Sequence, residues 1–405
     1  MSISIQYLEG GSPAAEVSPQ EARAHLRVAF EELPLAMVLL GWDLPPRVVE
    51  ACAVECALHR ADLYLWQPLL TAHGPFQPNP SWNVIALDGY PAAGYANKPE
   101  FTFLCPNRPE VRESVLQHLS AAVALGTYRG VFLDRIRFPS PAGEPARQLG
   151  CFCGACRQAS RQAGLDLTRV RHDLLLLFAT REGRRAATRT LLSGPNGEAA
   201  RGPNRSLELL MQFRLESITA IVKEAAYLAI AAGQAVGLDC YSPTLARMVG
   251  QDLAALARYC DWIKVMIYAR SYAPASLPFE VTRLADCLMG SGDESEPSAM
   301  AAVAQGTGWP LPSLREDLRH GGLAPSILTE ELRRGRASHA RQLLAGIELV
   351  EIPGVSELNR AQIRTDSEAV LAGSPDGIVL SWDLVHMPAD HLRLANSLYC
   401  RPAAY

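Results

Sequence analysis

Three cysteines within six residues form the most distinctive local pattern in this sequence. They are Cys151, Cys153 and Cys156, with Gly154 in the turn between the last two. Thiolates at this spacing are typical of one side of a structural zinc site, which normally has four protein ligands. Cys105 is the best candidate for the fourth ligand, because it ends a predicted strand next to the strand that leads into the cluster. The alternative is that reduced cysteines pack the start of a helix.

A charged motif follows an apolar stretch near the middle of the chain. The run 131–133 directly precedes Asp134, and Arg135 and Arg137 follow it. A nearby arginine lowers the pKa of a carboxyl group and favours its ionised form, which a nucleophile or a group facing a cationic transition state needs. We predict that Asp134 is catalytic. The alternative is a structural aspartate–arginine pair at the rim of the fold.

Lys264 is one of only three lysines, and it lies inside the apolar stretch 262–269. Burial is expected to lower its pKa, and a lysine with a low pKa can form a Schiff base with a carbonyl substrate. Two interpretations stay open at this point. Lys264 either carries the chemistry of a lyase or aldolase, or it forms an ion pair with a carboxylate on a neighbouring strand, such as Asp239.

The elements that must position these residues follow from hydrophobic periodicity. Eight short apolar segments alternate with segments of helical period, of which 45–60 and 109–125 are the clearest helices. Buried parallel strands need crossover connections, so this alternation predicts the α/β class and a (β/α)8 TIM barrel. The predicted strands are 35–42, 62–70, 101–105, 130–138, 235–241, 262–269, 345–352 and 377–384.

Two long segments exceed what a simple barrel needs, at about 139–215 and 281–342. We predict that they are helical insertions after strands four and six of a single domain spanning 1–405. A doubly wound open sheet is the alternative fold. It is disfavoured because Trp42-Asp-Leu-Pro45 follows the first predicted strand, where a nucleotide-binding sheet has a glycine-rich turn.

Aromatic and charged side chains follow most of the predicted strands, whose carboxyl ends meet at one mouth of a barrel. Aromatic rings stack on the apolar faces of sugars, and paired carboxylates can cleave a glycosidic bond. The alternative is that these rings have a purely structural role and only fill the top of the barrel. The predicted substrate-binding residues are Trp42, Trp66, Arg137, Tyr241, Lys264, Tyr268, Arg270 and Trp382.

Asp134 needs a second carboxylate, and two candidates stay open. Asp239 precedes Tyr241 on the same strand face, whereas Glu351 ends the seventh predicted strand before a Pro-Gly turn. Glu348 is discounted because it lies in the middle of the predicted strand and on the opposite face from Glu351. The sequence therefore predicts a glycoside hydrolase that acts on an oligosaccharide or glycoside without an organic cofactor. The alternatives are a lyase or aldolase using Lys264 and an inactive sugar-binding barrel.

Two segments resemble the third-to-fourth strand region of a family of glycoside-hydrolase-like (β/α)8 barrels. They are CPNRPEVR at 105–112 and GVFLDRIRFP at 130–139, which match the family pattern P-E-V-R … G-x-x-L-D-x-I-R-x-P. Segments 237–243 and 262–268 are similar to the fifth and sixth strands of this superfamily, and 377–388, with Trp382, resembles its eighth. The resemblance implies the barrel fold and glycosidic chemistry, but it says little about the substrate.

The cysteines are similar in arrangement to those of zinc-containing barrel β-galactosidases, which have one cysteine after the third strand and C-x-C-x-x-C after the fourth. This resemblance implies a structural zinc that pins the loop 139–150 beside the mouth. The chain departs from that family at the fourth strand, where an Asn-Glu pair is replaced by Asp134-Arg135. The catalytic assignment of that family is therefore not carried over.

Composition narrows the possible partners and the compartment. The charges balance, with Lys+Arg 38 against Asp+Glu 42 and a net charge of −4, so no basic excess favours nucleic acid. No apolar run approaches the roughly 18 residues of a membrane span. Residues 1–10 lack the features of a signal peptide, and ten cysteines without one are expected to be thiols or metal ligands. We expect a cytoplasmic protein with a carbohydrate substrate, and leave a homo-oligomer open.

Overall fold

The computed structural model describes residues 1–9, 16–74, 76–192, 204–290, 292 and 294–400. Eight parallel strands form a closed barrel in which each strand pairs with its neighbours in sequence and β8 pairs with β1. The predicted TIM barrel is therefore confirmed. The strands are β1 (Ser2–Tyr7), β2 (Leu35–Leu40), β3 (Asp62–Pro68), β4 (Gly130–Asp134), β5 (Ala235–Tyr241), β6 (Trp262–Met266), β7 (Leu343–Glu348) and β8 (Gly377–Ser381).

Helices connect the strands and surround the barrel, and both predicted insertions contain several of them. Helices α4–α8 lie between β4 and β5, and α11–α14 lie between β6 and β7. In the described part of the chain the helices are α1 (Pro19–Glu32), α2 (Pro46–Leu58), α3 (Pro109–Val123), α4 (Pro145–Gln148), α5 (Gly154–Gln162), α6 (Leu167–Ala179), α7 (Arg181–Leu192), α8 (Arg205–Ala231), α9 (Pro243–Ala246), α10 (Leu253–Leu256), α11 (Leu277–Met289), α12 (Glu296–Thr307), α13 (Arg315–Gly321), α14 (Ser326–Arg336), α15 (Arg360–Ala372) and α16 (Ala389–Tyr399). None of them combines the length and apolar character needed to cross a membrane.

The predicted number of strands is correct, but one member is wrong. The first strand is Ser2–Tyr7, which the sequence prediction missed, and the segment 101–105 is not part of the barrel. In β1, apolar Ile3, Ile5 and Tyr7 alternate with polar residues, whereas a buried parallel strand is expected to be a continuous apolar run. Phe103 instead forms an isolated bridge with Thr71 in the long connection that follows β3.

Large side chains fill the interior of the barrel, and two glycines make room for them. A Cβ atom at Gly237 would lie 2.1 Å from the ring of Trp262, and one at Gly346 would lie 2.3 Å from Cε of Lys264. Glycine at these positions therefore lets bulky side chains from β6 lie across the barrel. The interior apolar cluster consists of Leu39, Trp42, Tyr64, Trp66, Phe132, Trp262, Leu344 and Val379.

Candidate active site

A cavity of about 640 Å³ lies at the mouth of the barrel, where the strands end. Its size is within the range of about 300–1,000 Å³ that is usual for small-molecule sites. Among its lining residues are seven of the predicted site residues: Trp42, Trp66, Asp134, Arg137, Asp239, Tyr268 and Trp382. Residues that the sequence prediction did not assign to the site also line it, including Gln6, Glu9, His73, Tyr95, Glu100, Phe101, Arg135 and Tyr272.

Asp134 is held at the end of β4 by two N–H donors. The indole Nε1 of Trp66 donates to Oδ2 at 2.9 Å, and the backbone N–H of Arg135 donates to Oδ1. Arg135 has a positive φ of 51°, so the chain turns sharply directly after the carboxylate. Both oxygens of Asp134 therefore have a fixed orientation at the edge of the cavity.

Asp239 lies beside Asp134 and is bound by Lys264. Leu133 of β4 pairs with Leu238 of β5, which places the next residue of each strand, Asp134 and Asp239, at the same level. Lys264 Nζ donates to Asp239 Oδ2 at 3.1 Å. The other oxygen of Asp239, Oδ1, has no hydrogen-bond partner in the described structure. Lys264 thus fixes one carboxylate oxygen and leaves the other free.

The ammonium group of Lys264 is fully engaged. Besides Asp239 it donates to Gln6 Oε1 and to the hydroxyl oxygen of Tyr268, each at 2.8 Å. Burial alone would lower the pKa of Lys264, but attraction to Asp239 and contact with Tyr268 outweigh it, so its pKa is raised. The low pKa predicted from the apolar strand is therefore wrong. The structure shows the alternative, an ion pair with Asp239.

Burial also changes the protonation of Asp239. Loss of hydration raises its pKa to about 7, with repulsion from Asp134 adding to the shift and attraction to Lys264 opposing it. A carboxyl group with this pKa is partly protonated at neutral pH, so that both its protonated form and its ion pair with Lys264 are accessible. Asp134 and Asp239 thus occupy different environments at one level of the barrel.

Glu9 is a third carboxylate at the mouth, and sequence reasoning missed it because it missed β1. The backbone N–H groups of Leu8 and Glu9 both donate to the carboxylate of Asp383. Arg135 Nη2 contacts Glu9 Oε1 at 3.1 Å. Burial raises the pKa of Glu9 to about 7 although Arg135 opposes the shift. Applying the rule of strand ends to Ser2–Tyr7 would have identified it.

A hydrogen-bonded chain beside the cavity connects Gln67, His73 and Asp43. Gln67 Nε2 lies 3.1 Å from His73 Nε2, and because an amide nitrogen only donates, His73 Nε2 must accept. The proton of His73 is then on Nδ1, which donates to Asp43 Oδ2 at 2.7 Å. His118 Nε2 lies 3.4 Å from the other oxygen of Asp43. Asp43, His73 and His118 lie close enough together to bind a metal. In this tautomer, however, Nδ1 of His73 carries the proton and has no lone pair for a metal.

Four predicted catalytic or substrate-binding residues are not part of the main cavity lining: Lys264, described above, and Glu351, Arg270 and Tyr241. Glu351 is exposed, and its backbone N–H donates to His386 O, so the structure gives no geometric support for it as the partner of Asp134. Arg270 donates to Asp366 through Nε at 2.8 Å and Nη2 at 2.7 Å and is not part of the cavity lining. Tyr241 is fully buried and lines a smaller cavity.

The four predicted metal-ligating cysteines are buried together, with all four Sγ atoms within 4.8 Å of one another. The backbone N–H of Ile85 donates to Cys151 Sγ at 3.3 Å, and Asn107 Nδ2 donates to Cys156 Sγ at 3.4 Å. Arg214, which is fully buried, has two guanidinium nitrogens without a partner and interacts electrostatically with Cys151. This set of thiols could bind a metal, because N–H donors and a buried cation suit the negative charge of metal-bound thiolates.

Comparison with known proteins identifies the fold. No protein-family model matches this chain, and no curated protein sequence matches it. The glycoside hydrolase domain of PgaB (BpsB) from Bordetella bronchiseptica aligns over 99% of both chains with a TM-score of 0.56 and 11% identity. A β-galactosidase from Marinomonas ef1 has a TM-score of 0.57 and 12% identity, over 98% of this chain and 59% of that one. A class V chitinase from Pseudomonas fluorescens Pf-5 has a TM-score of 0.50 and 11% identity over 98% of both chains. The chain shares the barrel fold of these glycoside hydrolases.

Proposed function

We propose that this protein is a glycoside hydrolase that cleaves a glycosidic bond in an oligosaccharide or glycoside, with Asp134 and Asp239 as its carboxylate pair. The observation that carries the proposal is their placement. The two side chains lie at the same level of adjacent strands, in different environments, within one cavity lined by tryptophans. Two carboxyl groups at one site, of which Asp239 has a raised pKa, suit acid-assisted cleavage of a glycosidic bond.

Asp239 is the general acid in this proposal. Its raised pKa leaves it partly protonated near neutral pH, and Lys264 binds Oδ2 while Oδ1 has no partner. The proton passes from Asp239 to the glycosidic oxygen as the bond to the anomeric carbon breaks, so the leaving group departs as an alcohol. Lys264 acts as a positioning residue, because it orients Asp239 and balances the negative charge that remains.

Asp134 supplies negative charge at the anomeric carbon. Both of its oxygens accept hydrogen bonds from N–H donors, from Trp66 and from the backbone of Arg135, which suits an ionised carboxylate. It acts as a nucleophile or as the base for an attacking water. Aromatic rings form the walls of the cavity, with Tyr268 and Trp382 at 5.9 Å between ring centroids. Such rings suit stacking against a pyranose.

The Schiff-base alternative has less support. All three N–H donors of Lys264 are used, and the raised pKa of Lys264 keeps its nitrogen protonated and unable to attack a carbonyl. The inactive sugar-binding barrel remains as an outcome of the activity test rather than a second proposal.

The test is the Asp134→Asn variant, assayed on a broad panel of aryl glycosides with melting curves alongside. We expect kcat to fall by about 10³-fold or more, equivalent to roughly 4 kcal/mol of transition-state stabilisation, while the melting temperature is kept. Glu351→Gln is the matched control, because it removes one exposed carboxylate outside the cavity. A variant that keeps wild-type turnover would disprove the role of Asp134. A wild-type protein that cleaves no glycoside but binds sugars would favour the inactive barrel.

We also propose that Cys105, Cys151, Cys153 and Cys156 hold a structural zinc ion. The four buried thiols, their N–H donors and the nearby Arg214 support it. The purified protein should then contain about one equivalent of zinc per chain. Chelation should lower the melting temperature more than it lowers kcat, because the cluster is separate from the cavity lining. Metal-free protein with four freely reactive thiols and an unchanged melting temperature would refute the proposal.

A further inference from the structure

Arg137 is a buried cation without an anionic partner. Its exposed fraction is 7%, and among the described residues its guanidinium forms no salt bridge. Its one hydrogen bond is a long contact from Nη1 to the carbonyl oxygen of Phe138 at 3.4 Å. A guanidinium carries five N–H donors, and because Arg137 lines a cavity, the donors not used within the chain are available to water or to a ligand. Arg135, the other arginine of the motif, differs because it is paired with Glu9.

Aromatic rings fix the position of this guanidinium. Its central carbon lies 4.3 Å from the ring centroid of Phe103 and 4.8 Å from that of Tyr241, so both rings contribute cation–π attraction. The hydroxyl of Tyr241 donates to Glu280 Oε1 at 3.0 Å, which holds this ring in place. Rings at this distance hold the plane of the guanidinium while leaving its N–H groups available at the edge.

Glu280 lines a common cavity with Arg137 and Tyr241, but its carboxylate oxygens already accept hydrogen bonds from other groups. Glu280 accepts from the hydroxyl of Ser140 at 2.6 Å and from the backbone N–H of Ala275 at 3.2 Å, in addition to Tyr241. Burial raises the pKa of Glu280, which reduces the repulsion that an incoming anion would meet. Arg137 attracts Glu280 and Asp239, but no salt bridge joins it to a carboxylate of the described residues, so its N–H groups can bind an anionic group of a ligand.

Arg137 lies where two cavities adjoin. It lines the main cavity together with Asp134 and Asp239, and it also lines a side cavity of about 50 Å³. Tyr95, Phe101 and Pro274 line both as well. A volume of about 50 Å³ exceeds the share of one water in the liquid, roughly 30 Å³, but is too small for a sugar ring. It is suitable for a small planar substituent.

We propose that Arg137 binds a carboxylate carried by the substrate, so that the preferred substrates are glycosides of acidic sugars. This rests on the proposed function. The planar fork of a guanidinium matches a carboxylate through two parallel N–H···O bonds, and Arg137 lines both cavities. The acidic group would lie in or beside the side cavity, with the ring of the same sugar beside Asp134 in the main one.

The test compares three substrates of one configuration: an aryl glycoside of a uronic acid, its methyl ester, and the neutral parent sugar. Arg137→Gln removes the charge and the fork, and Arg137→Lys keeps only the charge. For the acid, we expect Arg137→Gln to raise KM by about 10- to 100-fold, the effect of one charge-assisted bidentate pair. For the ester and the neutral sugar, the same variant should lower kcat/KM by a clearly smaller factor, so that the preference for the acid is lost.

Arg341→Gln is the matched control, because this arginine is 78% exposed and pairs with Asp261 on the surface. Equal losses on all three substrates, or a wild-type preference for the neutral sugar, would overturn the inference while leaving the proposed function intact. If the wild type cleaves no glycoside, calorimetry of the free uronic acid decides. Binding that Arg137→Gln abolishes and Arg137→Lys partly restores supports an acid-binding site, and binding that Arg137→Gln leaves unchanged, or no binding at all, refutes it.

Discussion

Asp239 and Glu348 are two buried carboxyl groups, on β5 and β7, with similar protonation but different surroundings. Burial raises the pKa of Asp239 to about 7 and that of Glu348 to about 8. Asp239 lines the cavity of about 640 Å³ and has one free oxygen. Glu348 lines a gap of about 20 Å³ between the barrel and α15, where its Oε1 accepts from the backbone N–H of Arg270 at 2.6 Å.

A perturbed pKa therefore does not identify a catalytic group by itself. Both carboxyl groups are shifted by loss of hydration, and both lie near a basic side chain. What separates them is access, because a substrate can enter the mouth but not a gap of about 20 Å³ lined by residues such as Leu328 and Ile363. Structural networks perturb pKa values as readily as active sites do.

We expect the largest fall in kcat when the general acid is removed. Asp239→Asn removes the proton donor, so we expect kcat to fall by about 10²- to 10⁴-fold. The fall should be smallest for aryl glycosides with acidic phenol leaving groups, which need little protonation, and largest for alkyl glycosides. Glu348→Gln, the matched change in the other carboxyl group, should leave kcat within about twofold of the wild type. Equal losses for both variants, or losses independent of the leaving group, would remove the distinction between the two sites.

The next largest effect is on the free energy of unfolding, when the basic side chain beside each carboxyl group is removed. Lys264→Met leaves Asp239 buried without its cation, and breaking a buried pair in this way costs about 3–5 kcal/mol. Arg270 is also largely buried but its partner Asp366 is 16% exposed, so Arg270→Met should cost less, about 1–3 kcal/mol. Denaturant unfolding of both variants measures this difference. The double variant Lys264→Met/Asp239→Asn should recover part of the loss, because no buried charge is then left unpaired. If Lys264→Met alone is as stable as the wild type, the ion pair between Lys264 and Asp239 does not stabilise the fold.

Much of the site could be predicted from the sequence, because Asp134 and Asp239 end apolar strands and the closed barrel brings such ends together. The errors have physical causes. The alternating pattern of β1 concealed a barrel strand, and with it Gln6 and Glu9. Arg270 was expected at the mouth because it directly follows the predicted strand 262–269, but β6 ends at Met266 and the Arg270 side chain pairs with Asp366.

Contacts made by loops were beyond the reach of strand patterns. His73 belongs to the connection after β3, and its bond to Asp43 depends on where that loop folds back. Glu351 shows the same limit, because β7 ends at Glu348 and Glu351 lies in the loop after it, where it is exposed and not part of the cavity lining. Arg137, which the sequence predicted to bind substrate, lines the main cavity. Its lack of a partner, however, could be recognised only once the positions of Glu280 and Tyr241 were known.

The smallest expected effect is on the pH dependence of stability, where Asp239 and Glu348 should act alike. Each has a folded-state pKa above its unfolded value, 3.8 for Asp239 and 4.5 for Glu348. The folded state therefore binds the proton more tightly, and this stabilisation is complete below the unfolded pKa and lost as pH rises through about 7 and about 8. We expect the melting temperature to decline as pH rises from about 4 to about 8, and Asp239→Asn or Glu348→Gln each to flatten part of that decline. The pH–rate profile should separate the two, since its alkaline limb should disappear in Asp239→Asn and persist in Glu348→Gln. An alkaline limb that follows Glu348 instead would reverse the roles assigned to the two carboxyl groups.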